Sequence, residues 1–342
     1  MIGTRIRVAI GALAAVFTGA VAIPALAQTV EQFYKGQTVT ILLGQPPGGS
    51  YDLYARLAAD YMKRFIPGNP IIVIQHKPGG GASLAVAYLY AQAPRDGTWL
   101  GLFPETIGHT QLIQPELGQW KMQEMTYVGS FSTVNAAFVR RKDSPAKTIE
   151  EMKTVQMNLG CTGKTSQSYQ SPAMLKNLAG FKFNLICGYP GSAEYVLALE
   201  KGEVDMVSSA WNQWSGIHAQ KIASGEFVPV IQSGLRRHAD LMNVPLMQDL
   251  VTDPQVKKGL EFASAGAAIG RALIAPPNVP KDRLDALRFA FDKTVKDSEF
   301  IAEAKKRGAE LDPTPGEEVQ KASLAIISAS KDVIDLASKG ME

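Results

Sequence analysis

The residues of this chain best suited to chemistry lie between positions 46 and 56. Their sequence is Pro-Pro-Gly-Gly-Ser-Tyr-Asp-Leu-Tyr-Ala-Arg, and they follow a short apolar run at 39–43. Glycines allow a tight turn, and the helix predicted from Asp52 onwards would begin with free N–H groups at the positive end of its dipole. A strand followed by such a loop and a helix forms an anion site. No second carboxylate lies near Asp52 in the sequence, so the loop offers no acid–base pair.

Three more segments have the same arrangement of an apolar strand, small or polar residues and then a helix. They are residues 77–83, 160–168 and 188–193. In an open parallel sheet, ligands bind outside the carboxyl ends of the strands. A single glycine-rich loop commonly serves only as a tight turn. Four loops at equivalent positions indicate one shared cleft.

Several polar and aromatic residues near these loops allow two interpretations each. Asp52 either accepts orphan N–H groups at the helix start or orders a ligand group. Trp211 and Trp214 either fix a helix to its domain, or Trp211 or Asn212 contacts the ligand. Lys164 is either a solvated loop lysine or a counter-charge. These alternatives stay open at this point.

Signatures of catalysis are few. There is no Gly-x-Ser-x-Gly motif, and Asn158 occupies the position of the first P-loop glycine upstream of Gly163. The four histidines form no His-x-x-x-His pair, and two cysteines without a histidine cluster make no metal site. Ser50 as a hydrolase nucleophile would lack an identifiable base. We therefore expect neither a cofactor nor a metal ion.

The N-terminus has the features of a secretory signal peptide. Arg5 and Arg7 precede an apolar run at 8–23, and Ala25-Leu26-Ala27 is a small-residue cleavage site. The run is shorter than the ~20 residues of a membrane span, so we expect a cleaved segment 1–27 and a periplasmic protein. Without its two arginines, 33 of the 35 basic residues remain against 32 acidic ones. This near-neutral balance argues against nucleic-acid binding.

The alternation of apolar runs and helical patterns predicts an α/β protein of parallel βαβ units. Strands are expected at 39–43, 71–75, 98–103, 125–132, 136–141, 156–161, 183–189, 204–209, 227–232 and 272–275. Helices are expected at 83–91, 147–154, 170–178, 193–200, 281–296, 298–307 and 315–339. The length after cleavage predicts two domains, and the absence of a flexible linker predicts a hinge near residues 130 and 230.

Cys161 and Cys187 are the only two cysteines, and each ends an apolar run. If the two runs are neighbouring parallel strands, the side chains meet at the edge of the sheet. An oxidising compartment then permits a disulfide, and the alternative is two free thiols.

Six sequence blocks resemble those of the periplasmic solute-binding proteins of tripartite tricarboxylate transporters, the Bug-type receptors. They are Pro-x-Gly-Gly-x-x-Asp-x-x-Ala-Arg at 46–56, Pro-Gly-Gly-Gly at 78–81, Asp-Gly-Thr-x-Leu at 96–100, Tyr-x-Gly at 189–191, Gly-x-Val-Asp at 202–205 and Ala-Pro-x-x-x-Pro at 275–280. The blocks occur in the order of the family, and the resemblance covers nearly all of the chain after residue 27.

The resemblance implies a type II periplasmic binding protein fold, with two doubly wound α/β domains joined by hinge strands and a ligand cleft between them. The domains would span 28–128 together with 235–342, and 129–234. It implies a monomer that captures a small organic carboxylate by hinge closure and delivers it to integral-membrane tripartite transporter subunits, without catalysis. The alternatives are presentation of the ligand to a sensor kinase and, with less support, periplasmic hydrolysis.

Carried over by motif, the resemblance assigns ligand contacts in both domains. They are Pro47, Gly48, Gly49, Ser50 and Asp52 in the first and Thr162, Ser166, Gly191, Ser192 and Ala193 in the second. Trp211 is added because it follows a predicted strand. In the family the first loop holds a carboxylate through backbone groups and water, and no arginine is required. The second loop set departs from the family pattern, so the ligand need not be a tricarboxylate.

Overall fold

The computed structural model describes Ile2 and residues 28–342, so the rest of the predicted signal peptide lies outside the described residues. The strands are β1 Thr38–Leu43, β2 Ile71–His76, β3 Trp99–Leu102, β4 Thr126–Ser130, β5 Ala136–Arg141, β6 Met157–Cys161, β7 Phe183–Cys187, β8 Met206–Ala210, β9 Phe227–Ser233, β10 Ala272–Ala275 and β11 Thr314–Pro315. The α-helices are α1 Val30–Tyr34, α2 Ser50–Tyr61, α3 Ser83–Ala91, α4 Ile107–Ile113, α5 Ile149–Met152, α6 Gln167–Ala179, α7 Ser192–Lys201, α8 Ala219–Ala223, α9 Pro254–Ser264, α10 Lys281–Thr294, α11 Ser298–Lys306, α12 Gly316–Ile327 and α13 Lys331–Lys339. A π-helix spans Gln213–Ile217, and single 3₁₀ turns lie in several of the connections.

The strands form two sheets, in the orders β11-β4-β10-β3-β1-β2 and β7-β6-β8-β5-β9. In the first sheet β1 runs parallel to β2 and β3, and in the second β6 runs parallel to β7 and β8. β10 and β11 are antiparallel to β4, and β5 is antiparallel to β8 and β9. The α/β fold with two domains is confirmed. The expectation of parallel units throughout is wrong. The antiparallel pairs involve β4, β5, β9 and β10, through which the chain passes from one sheet to the other and back, and the short strand β11.

Local sequence signals explain most of the elements that lead to the cleft. Five of the six residues of β1 are buried, as its apolar run predicts. α6 and α7 end at Gly180 and Gly202, whose φ angles of 75° and 76° suit glycine. The predicted single helix over 315–339 is wrong, because the chain leaves helical geometry at Ser328 and starts α13 after Ser330.

Apolar packing covers both sheets and also joins them. One cluster beneath the first sheet includes Ile41, Leu57 and Phe131. A larger cluster continues from Leu42 of the first sheet to Phe138 of the second. Helices α9 and α13 pack on each other and on α6. The domain limits 28–128, 129–234 and 235–342 therefore remain a prediction. α9 and α13 belong to the segment 235–342 but pack against α6, which belongs to the segment 129–234.

Cys161 and Cys187 occupy directly paired positions at the ends of β6 and β7 and are joined by a disulfide. β7 is the edge strand of the second sheet. Between residues 28 and 342, no helix combines the length and the apolar character needed to cross a bilayer.

Candidate ligand site between the two sheets

Three helices begin at the same cavity between the sheets. α2, α6 and α7 have 12, 13 and 10 residues, and their N-cap residues are Gly49, Ser166 and Gly191. None of these caps makes a side-chain hydrogen bond to its helix. The first N–H groups of an α-helix have no partner within the helix. Partial positive charge from three helix ends is therefore directed at one small volume.

The cavity has a volume of about 70 Å³ and is lined from both sides. The first sheet's side contributes Gln45, Pro46, Pro47, Gly49, Ser50, Tyr51, Pro104, Glu105 and Arg271. The second sheet's side contributes Thr162, Ser166, Gln167, Ser168, Gly191, Ser192, Ala193, Glu194, Tyr195, Ser209, Ala210 and Gln213. A single water molecule requires roughly 10–15 Å³ of such a cavity, so the space suits a ligand of only several heavy atoms.

A buried ion pair forms the wall on the first sheet's side. Arg271 is 2 % exposed, and its Nη1 donates to Glu105 Oε2 at 3.2 Å. Its Nε donates to Ser50 Oγ at 3.0 Å, and the guanidinium lies 4.1 Å from the centre of the Tyr51 ring. The Tyr51 hydroxyl donates to the same Glu105 oxygen at 2.7 Å. Burial acts to lower the pKa of Arg271, but Tyr51 and Glu105 outweigh it and the pKa is raised.

Hydroxyl groups shape the wall on the second sheet's side. Ser166 Oγ donates to Gly163 O at 2.7 Å and lies 2.8 Å from Ser168 Oγ, which accepts the Thr162 N–H at 3.2 Å. Ser209 Oγ donates to Gln213 Oε1 at 2.6 Å. These bonds hold the loop after β6 and the end of β8 in place, while the backbone N–H groups of α6 remain directed at the cavity.

The two sides touch beside the cavity. Thr165 Oγ1 lies 2.6 Å from Gly80 O and 2.9 Å from Gly81 O. Gly81 has a φ of 72°, and a Cβ there would lie 2.6 Å from Thr165 Oγ1. Asn212 adds a second contact, since its Nδ2 donates to Ser50 Oγ at 3.3 Å. The second glycine-rich turn therefore serves close approach between the sides.

Most of the residues assigned by motif meet at this cavity. Pro47, Gly49, Ser50, Thr162, Ser166, Gly191, Ser192 and Ala193 all line it. Gly48 and Asp52 line a neighbouring groove instead. Asp52 Oδ2 accepts the Gly48 N–H at 3.0 Å and Arg56 Nε at 2.8 Å, which are the contacts of a residue that orders the helix start. Lys164 is exposed and does not line the cavity.

Trp211 is not brought to the cavity. It is buried in the apolar cluster of the second sheet, and its Nε1 donates to Asp240 Oδ2 at 3.0 Å. Ala210 directly before it and Gln213 two residues after it line the cavity instead. The position after β8 correctly indicated that this segment reaches the cavity, but the large indole ring packs into the apolar cluster and not towards the cavity.

Sequence reasoning missed the charged wall. Glu105 follows β3 as the other loops follow their strands, so that signal was present in the sequence. Arg271 immediately precedes β10, and no motif surrounds it. Among the described residues, no group of three or more histidine, cysteine or acidic side chains is placed to hold a metal ion.

Two α/β domains with a cleft lined by helix N-termini define a periplasmic solute-binding protein fold. Residues 54–334 match the tripartite tricarboxylate transporter family receptor, and the chain belongs to this family. A UPF0065 protein of Agrobacterium vitis is 25% identical over 295 residues, which are 84% of this chain and 79% of that protein.

Solved structures share the fold. The periplasmic binding protein BugD superposes with a TM-score of 0.71 at 21% identity, over 90% of this chain and 98% of its own. MatC from Rhodopseudomonas palustris, solved with bound malate, superposes with a TM-score of 0.69 at 20% identity, over 87% of this chain and 99% of its own.

Proposed function

We propose that this chain captures a small organic carboxylate between its two sheets. The observation that supports this most strongly is the convergence of three uncapped helix starts on one cavity that also contains a buried guanidinium. Helix N-termini bind anions through backbone N–H groups, and charge-assisted hydrogen bonds are stronger than neutral ones. The structural neighbour MatC holds malate, which is a carboxylate.

Capture occurs by closure of the two sides. Thr165 and Asn212 already bridge to the opposite side through Gly80 and Ser50. A ligand bound between the helix starts contacts both sides only when they are together, so its differential affinity favours the closed arrangement. The closed receptor then delivers its ligand unchanged to integral-membrane subunits of a tripartite transporter. Cleavage after residue 27 leaves the protein, as a monomer, in the periplasm.

A thermal-shift screen of mono-, di- and tricarboxylates tests the proposed function. A true ligand at a hundred times its Kd stabilises the fold by ~2.7 kcal/mol and raises the melting temperature by several degrees. The bound acid should be recovered without chemical change. A complete absence of shifts across the screen would contradict the proposal.

Substitution at Gly49 tests whether the acid binds in the cavity. A Cβ at this position would lie 3.1 Å from Ser192 Oγ, across the gap between α2 and α7. Gly49→Ala should weaken binding of the screened acid moderately, because one oxygen must shift by a few tenths of an ångström. Gly49→Val should abolish it while the circular dichroism spectrum stays unchanged. Equal calorimetric affinity in Gly49→Val and the parent would place the ligand elsewhere.

A further inference from the structure

One edge of the Arg271 guanidinium is left for a ligand. Arg271 uses Nε and Nη1 for Ser50 and Glu105, and its Nη2 makes no hydrogen bond to any of residues 28–342. The buried partners fix the orientation of the guanidinium, so Nη2 and the helix N–H groups together suit one carboxylate.

Two other side chains at the cavity each have a hydrogen-bond acceptor that no donor within residues 28–342 reaches. Gln45 and Glu194 line the cavity, and one buried oxygen of each, Gln45 Oε1 and Glu194 Oε2, has no hydrogen-bond partner among the described residues. The two residues lie around Pro46. A Cβ on Gly191 would be 2.9 Å from Pro46 Cγ and 3.1 Å from Glu194 Oε2. A buried acceptor left unpaired is unfavourable, and a ligand group that donates to it removes that cost.

The charged side chains that line the cavity sum to one negative charge, in contrast to the positive helix starts. Glu105 and Glu194 carry two negative charges against the single positive charge of Arg271. All three act on one buried phenol: burial raises the pKa of Tyr195 to about 12, Arg271 acts to lower it, and both glutamates act to raise it. They therefore surround the same small space. A second carboxylate on a ligand would meet these acids where water is scarce.

From these contacts we propose that the site selects an acid with a single carboxylate whose other end donates hydrogen bonds, and that it discriminates against di- and tricarboxylates. Arg271 and the starts of α2 and α6 bind the carboxylate. Glu194 and Gln45 accept from a hydroxyl or ammonium group at the far end. This inference rests on the proposed function and adds a selection rule to it, one that differs from what the name of the family suggests.

Matched acids test the rule by calorimetry at fixed pH and low salt. The four-carbon set is butyrate, 4-hydroxybutyrate, 4-aminobutyrate and succinate, and the six-carbon set is hexanoate, 6-hydroxyhexanoate, 6-aminohexanoate and adipate, with citrate added to both. In the set that binds better, the hydroxy or amino acid should bind at least tenfold tighter than the dicarboxylate. Either order of hydroxyl and ammonium supports the proposal.

Two different failures are distinguishable. If succinate, adipate or citrate binds as tightly as the best hydroxy or amino acid, the selection rule is wrong while carboxylate capture stands. If none of the acids binds, the proposed function is contradicted together with the rule.

Glu194→Gln gives a second readout at the same site. The amide keeps the shape, removes one negative charge and supplies a donor, so affinity for the dicarboxylate should rise and the tenfold ratio should fall towards one. Glu203→Gln removes the same charge from an exposed position just after α7 and should leave the ratio unchanged. An unchanged ratio in Glu194→Gln would overturn the proposal even if the parent protein shows the expected preference.

Discussion

The two walls of the cavity are built by different means. On the first sheet's side, a buried network of Arg271, Glu105 and Tyr51 fixes charged groups in place. On the second sheet's side, hydroxyls such as Ser166 bond to their own loop and leave the backbone N–H groups to face the cavity. We infer that the charged wall, together with Glu194 on the facing side, determines which acid is accepted, while the hydroxyls determine how well the sides come together.

The walls also differ in what a substitution should cost. A buried ion pair that loses one partner leaves an uncompensated charge, which costs several kcal/mol. A hydroxyl that bonds to a loop carbonyl contributes only about 1 kcal/mol. The comparison is therefore tested by substitutions on each side.

Arg271→Met should have the largest effect. Glu105, which is 7 % exposed, would remain buried without its cation, and the free energy of unfolding in urea should fall by ~3–5 kcal/mol. Affinity for the best acid of the thermal-shift screen should fall at least a hundredfold. The double variant Arg271→Met, Glu105→Gln should regain most of the stability but not the binding. Full affinity in either variant would show that the guanidinium is not the anchor.

Acid sensitivity should come next in size and arises at a buried residue near Glu105, on the same side of the cavity as the charged wall. His109, one turn after Glu105, is buried and lies with Nε2 2.7 Å from Phe262 O. Burial lowers its pKa from 6.5 to about 4, so the unfolded chain binds a proton that the fold does not. Its contribution is present above pH 6.5 and is lost as the pH falls towards 4.

Between these two pH values, unfolding measurements should show a loss of stability of ~3 kcal/mol from this residue. The His109→Gln variant lacks the titrating ring, and its stability should vary less with pH by that amount. Parallel pH profiles for the two proteins would refute the assignment.

Thr165→Val should have the smallest effect, because it removes one hydroxyl contact on the other wall. Thr165 Oγ1 donates to the second glycine-rich turn, and its loss should weaken ligand affinity about fivefold, which corresponds to ~1 kcal/mol. Thr154→Val is the matched control, since Thr154 Oγ1 donates to Glu151 O on the exposed surface. A loss for Thr165→Val as large as that for Arg271→Met would remove the distinction between the walls.

The parts of the molecule that local chemistry determines were predictable from the sequence. The loop before α2, the strand β1 and the glycine ends of α6 and α7 follow from turn residues, apolar runs and helix stops. The division of 315–339 into two helices was missed, because Ser330 is a helix-start residue inside an otherwise continuous pattern.

The charged wall depends on long-range topology instead. Arg271 lies more than two hundred residues from Ser50 in the sequence, and they meet only because the chain returns from the second sheet and inserts β10 between β3 and β4. No local pattern encodes that insertion. Glu105 was predictable in principle from its place after β3. Trp211 was assigned by position alone, and packing of its ring in the apolar cluster of the second sheet decided its orientation.

The disulfide between Cys161 and Cys187 has a consequence for the mechanics of the edge strand. Terminal pairs of an outer strand normally open most easily, and β7 has a hydrogen-bonded neighbour on one side only. The covalent link lies at the end of β7 next to the loops that contain Thr162 and Gly191. Fraying of this strand is therefore confined to the end near Phe183, which is the end away from the cavity. The part of the second sheet's wall that follows β7 therefore keeps a rigid base although it starts from an edge strand.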